Sequence, residues 1–241
     1  MKLLRLIALI LLFSNHSYAQ KNHLNEMNLL NDIKSIEEKT YETNSENQVQ
    51  SRYIYFNKKG NIIKDLSYYS DESLISKIIY QYNSKADTVC QMFYDDQDIL
   101  VVKNVLEYDK VGVPLSLTTY NSFGEIVGHG NYSYNNQGLI ESFIFLDESG
   151  RNIYEDIYVY NSSGVLSEKE LINKDFYEKN LYERDSLGNP TRITSYDKNG
   201  QIIKSRVFIY KYDNNNNNWI KRNECIKGKC IGSKKRIILY H

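Results

Sequence analysis

One spacing governs this chain. An aromatic residue, then Asn or Asp, then a glycine three places on, recurs as "FNKKG" at 56, "YDKVG" at 108, "YNNQG" at 134 and "YNSSG" at 160. The openers Asn57, Asn83, Asp109, Asn135 and Asn161 stand 26 residues apart. A second series, Asp95, Asn121, Asp147 and Asn173, repeats at the same step and falls between them. Asn and Asp close turns through short side chains, and Gly supplies positive φ. Neighbouring openers are separated by 12 or 14 residues, which leaves about 8 to 10 residues for a strand.

The segments between turns alternate as strands do. Tyr132 and Tyr134, Tyr158 and Tyr160, and Ile78, Tyr80 and Tyr82 share one face at spacing two. The 22 tyrosines suit such segments, because aromatic rings fit a pleated, half-buried surface. Thirteen turn positions predict about fourteen strands, with an entry strand at "IKSIEEKTYE" and a C-terminal hairpin besides. Short connections force antiparallel neighbours. The expected architecture is an all-β antiparallel hairpin repeat with a 26-residue two-strand unit. It grows in one direction into an elongated, twisted or curled sheet or solenoid, with atypical first and last units.

The register drifts late. Asp185 and Asp197 follow Asn173 at steps of 12, and an asparagine run over Asn214–Asn218 replaces an ordinary turn. The glycine slot is lost at Glu72, Ala86, Asp98, Phe176 and Asn216, so those turns are expected to be looser or differently built. The domain boundaries that follow are residues 1–19 as a signal peptide and 20–50 as an entry segment with a short helix in "HLNEMNLLNDI" and a strand. Residues 51–218 form the repeat domain and 219–241 a capping hairpin.

The signal peptide rests on Lys2 and Arg5, the apolar run Leu6 to Phe13, and the small residues of Ser17-Tyr18-Ala19 before Gln20. The chain is expected to be exported to the periplasm, cell surface or medium. No apolar run is long enough for a membrane-spanning helix. Lysine plus arginine and aspartate plus glutamate are both 30, so the balance offers no global attraction to nucleic acid.

Three cysteines are present. "CIKGKC" places Lys227-Gly228 at the centre of a two-residue hairpin turn, which makes Cys225 and Cys230 a close cross-strand pair. A disulfide fits an oxidising compartment. A metal held by two thiols would need more ligands than the neighbourhood offers. Cys90 falls inside a predicted strand as a buried small residue.

The units "Y-[ND]-x-x-G-x-[IL]", with "IKSIEEKTYE", "YYSDESLISKIIYQYNSK" and "YDNNNNNWIKRNECIKGK", resemble tyrosine–aspartate repeats (YD or RHS-type) of exported proteins of Bacteroidetes-like bacteria. The resemblance covers roughly residues 34 to 240 and implies a β-repeat fold and an exported location. Large members of the RHS type wrap toxins in a β-shell, and this chain is too short to enclose another domain.

Chemistry-bearing constellations are sparse. The sequence offers no Ser/His/Asp order and no metal-ligand spacing, so no catalytic residue, metal site or cofactor is assigned. His129, between Gly128 and Gly130, is the sole mid-domain histidine, and the glycines suggest a bulge or a close backbone approach. Asp95, Asp96 and Asp98 in "YDDQDIL" could ligate calcium or serve a hydrolase, but lack the Gly and Glu of a calcium loop and suit a solvated turn better. The row Tyr82, Tyr108, Tyr134 and Tyr160 could stack on sugars or anchor a protein, while its regular period argues for core packing. The C-terminal run Lys221, Arg222, Lys227, Lys229, Lys234, Lys235 and Arg236 could touch anionic polymers, or keep an end strand from pairing. The leading expectation is a non-enzymatic scaffold or binding module at the cell envelope with a glycan or protein partner. The alternatives are an envelope hydrolase using turn-borne carboxylates and a toxin-associated or immunity component.

Overall fold

A computed structural model describes residues 27, 29–30, 32–42, 47–83, 88–110, 112–215 and 217–241. The signal-peptide reading and most of the expected N-terminal helix lie outside these residues. Residues 27, 29, 30 and 32 are not helical. Among the described residues the chain is all strand and turn. The strands are β1 (Ile33–Glu42), β2 (Gln48–Phe56), β3 (Ile62–Tyr69), β4 (Leu74–Tyr82), β5 (Thr88–Tyr94), β6 (Leu100–Tyr108), β7 (Pro114–Asn121) and β8 (Ile126–Tyr134). They continue as β9 (Ile140–Asp147), β10 (Asn152–Tyr160), β11 (Leu166–Asn173), β12 (Tyr177–Arg184), β13 (Pro190–Tyr196), β14 (Ile202–Tyr212), β15 (Trp219–Ile226) and β16 (Lys229–Tyr240).

Each strand pairs antiparallel with the next, and β1 pairs with β16, so the meander closes into a barrel of 16 strands. The expected open sheet or solenoid is therefore corrected. A repeat fixes only the pairing of neighbours, whereas closure needs the two ends of the chain to meet. Sheet twist carries them together, and the seam is specified by chemistry. Glu38 of β1 stands opposite Arg236 of β16 and opposite Arg52 of β2. Closure also leaves the β15–β16 hairpin no free edge to cap, and β16, with its lysines, is paired on both sides.

The turns explain the ruler. In the first, the Asn57 amide donates to the Asn61 carbonyl at 2.8 Å and the Gly60 amide to the Asn57 carbonyl at 2.9 Å. The Asn57 side-chain oxygen accepts from the amides of Lys59 and Asn61. Gly60 sits at φ 77°, so this is a type I turn closed by a left-handed residue. The same bonds form at Asn135, whose side-chain oxygen accepts from Gln137 and Leu139. Two glycine-less turns are built the same way, against expectation. Glu72 and Asp98 take φ of 67° and 61° and donate their amides back to the openers Tyr69 and Asp95. The β11–β12 turn is shorter, with the Asn173 amide donating to the Phe176 carbonyl. The asparagine run is longer, with the Asp213 amide donating to Asn218. Ala86 and Asn216 lie outside the described residues.

The pleat sorts side chains into an inner and an outer wall. The inner wall of β1–β10 is mostly apolar. Ile36, Ile54, Ile78, Phe93 and Val102 form one buried cluster, and Leu106, Leu117, Ile140, Phe143 and Tyr158 another. Gly128 and Gly130 serve the second cluster. A Cβ would lie 2.5 Å from the Phe145 ring at Gly128 and 2.3 Å from the Phe143 ring at Gly130, so β8 gives up two side chains to let rings cross it. His129 points outward between them, 3.4 Å from the Thr118 hydroxyl.

Candidate functional site: the polar inner wall

The barrel interior is unequal along its axis. At the end holding the turns of Asn57, Asp109, Asn135 and Asp185, the inner wall is lined by rings. Tyr82 and Tyr134 donate their hydroxyls to the carbonyls of Ile62 and Pro114, and Tyr210 donates to that of Pro190 at 2.9 Å. Each bond spans 20 residues, so the tyrosine staples the strand that began one hairpin earlier. Tyr82 packs on the first cluster, and Tyr108, Tyr134 and Tyr160 on the second. Burial pushes the phenol of Tyr134 well up and that of Tyr160 to about 12. The four-tyrosine row thus lines the floor at this end. The N-terminal segment completes it: Leu29 joins the first cluster, and Asn218 bonds the backbone of Leu30 in both directions.

The wall of β11–β16 differs. Its inward positions carry polar and charged groups among aromatics: Lys169, Arg184, Arg206, Arg222 and Lys234 beside Tyr182, Phe208 and Trp219. Toward the other end, Glu178, Lys204 and Glu224 are accessible to solvent, which makes that end a polar mouth.

Two charge clusters sit on the inner wall. In the first, Asp156 on β10 is fully buried and meets the Lys169 ammonium at 3.0 Å. Burial raises its carboxyl, and Lys169 and the Tyr158 hydroxyl only partly offset that. The second cluster is the seam. Lys234 and Arg236 reach the two oxygens of Glu38 at 2.6 and 3.0 Å. Burial alone would raise the Glu38 carboxyl, but Arg236 and Lys234 outweigh it and hold it at about 2. Arg52 pairs with buried Asp65 next door.

Sequence reasoning found the basic run but missed its division. Lys221 and Lys235 face out, while Arg222, Lys234 and Arg236 face in. The pairing sets the division: the inward set begins at Trp219, skips the register shift opposite Tyr212, and resumes at every second residue. Cys225 and Cys230 face each other across β15 and β16 and are joined by a disulfide on the outer wall. Lys227 and Gly228 occupy left-handed backbone between them. Cys90 is buried. The aspartates of the β5–β6 turn are spent on structure: Asp95 accepts from the amides of Gln97 and Ile99, and Asp98 pairs with Lys77 at 2.6 Å. No group of three or more His, Cys, Asp or Glu side chains among the described residues could hold a metal ion. No helix among them is long and apolar enough to cross a membrane.

One solved structure supports this fold, and two more resemble it weakly. A porin-like protein from Bacteroides uniformis matches with a TM-score of 0.61 at 10% identity, covering 86% of this chain and 98% of that one. A porin-like protein from Bacteroides vulgatus gives 0.48 at 12% identity over 87% of this chain and 99% of that one. The Photorhabdus luminescens Tc holotoxin pore gives 0.37 at 11% identity, over 78% of this chain and 12% of that one. The last two scores are too low to argue from. No family model and no curated protein matches the chain. The description as a YD-repeat, RHS-like β-repeat is corrected by the closed barrel and its porin-like neighbour: the 26-residue ruler measures hairpins around a ring.

Proposed function

We propose that this chain is an exported, non-enzymatic binding module of the cell envelope whose barrel stands in water and takes a small ligand through its polar mouth. The observation that carries the reading is the chemistry of the outer wall. Lys77, Lys103, Glu155 and Lys179 lie near the middles of β4, β6, β10 and β12 on the outward register, away from the buried clusters. Two of them make outward ion pairs, Lys77 with Asp98 and Lys179 with Glu168, both at 2.6 Å. A lysine on the lipid face at mid-bilayer costs about 2–4 kcal/mol, and a spanning barrel needs an apolar band about 25 Å tall. Many strands here have eight residues, about 26 Å of extended chain, or roughly 20 Å of height at the usual barrel tilt. The signal-peptide pattern of residues 1–19 and the Cys225–Cys230 disulfide support export.

The rival is a membrane pore, the reading that the description "porin-like" of the Bacteroides uniformis protein would bring to this chain. Vesicle flotation separates the two. The purified chain should fold without detergent and stay in the aqueous fractions when mixed with phosphatidylglycerol-containing vesicles. Flotation with the vesicles, or stepwise conductance in a planar bilayer, refutes the proposal.

A further inference from the structure

Three arginines on consecutive strands meet on the inner wall: Arg206 on β14, Arg222 on β15 and Arg236 on β16. Two rings hold them. The Arg222 guanidinium lies 5.1 Å from the centre of Phe208 and 5.4 Å from that of Trp219. Arg236 lies 3.3 Å from the centre of Trp219, and Arg206 5.9 Å from that of Phe208. A guanidinium laid on a ring keeps its N–H edge free for a planar acceptor.

The compensation of these charges is incomplete. Glu38 divides its two oxygens between Lys234 and Arg236. None of the ion pairs among the described residues reaches Arg206 or Arg222. Two buried nitrogens, Arg206 Nε and Arg236 Nη1, have no hydrogen-bond partner among the described residues. The Arg236 side chain is only 7% exposed. Burial, helped by the like charges of Arg222 and Arg52, brings its guanidinium down to about 10 despite Glu38. Buried polar groups in folded proteins are nearly always satisfied, so donors left open on one wall point to an acceptor that arrives from outside.

We propose that this wall binds an oxyanion group, a carboxylate or a phosphate, carried by the small ligand. The inference rests on the reading of the barrel as a water-facing cup. Arg206, and Arg222 beside its hydrogen bond to Tyr210, supply fork-shaped donors suited to either group. Glu38 takes the Nε donor of Arg236 and leaves its Nη1 donors open. Glu224, two residues nearer the mouth on β15, marks where the cationic wall gives way to the mixed charges of the mouth.

The protein carries its own reporter, because Trp219 is the sole tryptophan. The purified chain is titrated with inorganic phosphate and, separately, with citrate, at constant ionic strength, while Trp219 emission is followed. The expected result is a saturable change with at least one probe, its dissociation constant raised about tenfold or more by Arg222→Gln and by Arg206→Gln. Lys235→Gln, on the outer wall, should leave it unchanged. Saturation by phosphate alone assigns a phosphate-bearing ligand, and saturation by citrate alone a carboxylate. The site is overturned if neither probe gives a saturable response at millimolar concentration, or if both arginine variants respond as the parent does. Should one variant fail to fold, the parent titration and the other variant still decide. A chain that inserts into vesicles yet binds the anion refutes the cup and keeps the site. One that stays in water and ignores both anions does the reverse.

Discussion

Replacing Glu38 by Gln tests the seam. Among the described residues the carboxylate is the one acid paired with both Lys234 and Arg236, and it is 4% exposed. Its folded pKa is about 2 against an ordinary 4.5. A depression of that size corresponds to about 3 kcal/mol of stability. Removing one partner of a buried pair costs about 3–5 kcal/mol by general experience, which agrees. The pH dependence has a definite sign. A depressed acid contributes fully above its unfolded pKa and loses the contribution as pH falls toward its folded one. Glu38 should therefore help at pH 7 and progressively less between 4.5 and about 2. Urea unfolding of the parent and Glu38→Gln is measured at pH 7 and again near pH 2. The gap should be about 3 kcal/mol at pH 7 and shrink markedly at the acid end. Equal stability at pH 7, or a gap of constant size, would show that closure does not rest on this carboxylate.

Two further substitutions probe the ruler and the core. Glu72→Gly places the residue with free access to positive φ in a turn that Glu72 enters at 67°, so thermal unfolding should shift upward by up to about 1 kcal/mol of stability. Gly130→Ala drives a methyl to 2.3 Å from the Phe143 ring; it should lower stability by about 1–3 kcal/mol in the same assay, and an unchanged midpoint would mean the ring moves aside freely.

Much of the local structure is legible in the residues. Asn135 and Gly138 fix a turn because one side-chain oxygen can accept two amides and one residue can sit at positive φ. The alternation of Tyr132 and Tyr134 fixes a face. The glycines around His129 suggest a bulge or a close backbone approach; the space a side chain would take is filled by the Phe145 and Phe143 rings and, at Gly128, by the Leu146 carbonyl as well. The turns at Glu72 and Asp98 were less legible, because the bonds of the whole loop hold a non-glycine residue in the left-handed region despite its preference. The candidate site was partly hidden for a different reason. The basic run is plain in the sequence, but register shifts such as that between Lys211 and Tyr212 decide which members face inward.

The sequence by itself determined strands, turns and neighbour pairing, since these depend on contacts a few residues apart. It also determined that many of the strands would carry aromatic rings on one face. Only the tertiary structure decided that the ribbon becomes a ring, because that depends on Glu38 meeting Arg236 from the far end of the chain. Closure then gave the faces their meaning. The tyrosine rows became a floor, the lysines of the last strand lost their free edge, and Arg206, Arg222 and Arg236 were gathered around Trp219 on an inner wall. An open sheet with the same strands would have left those arginines in bulk water, where their charge needs no partner.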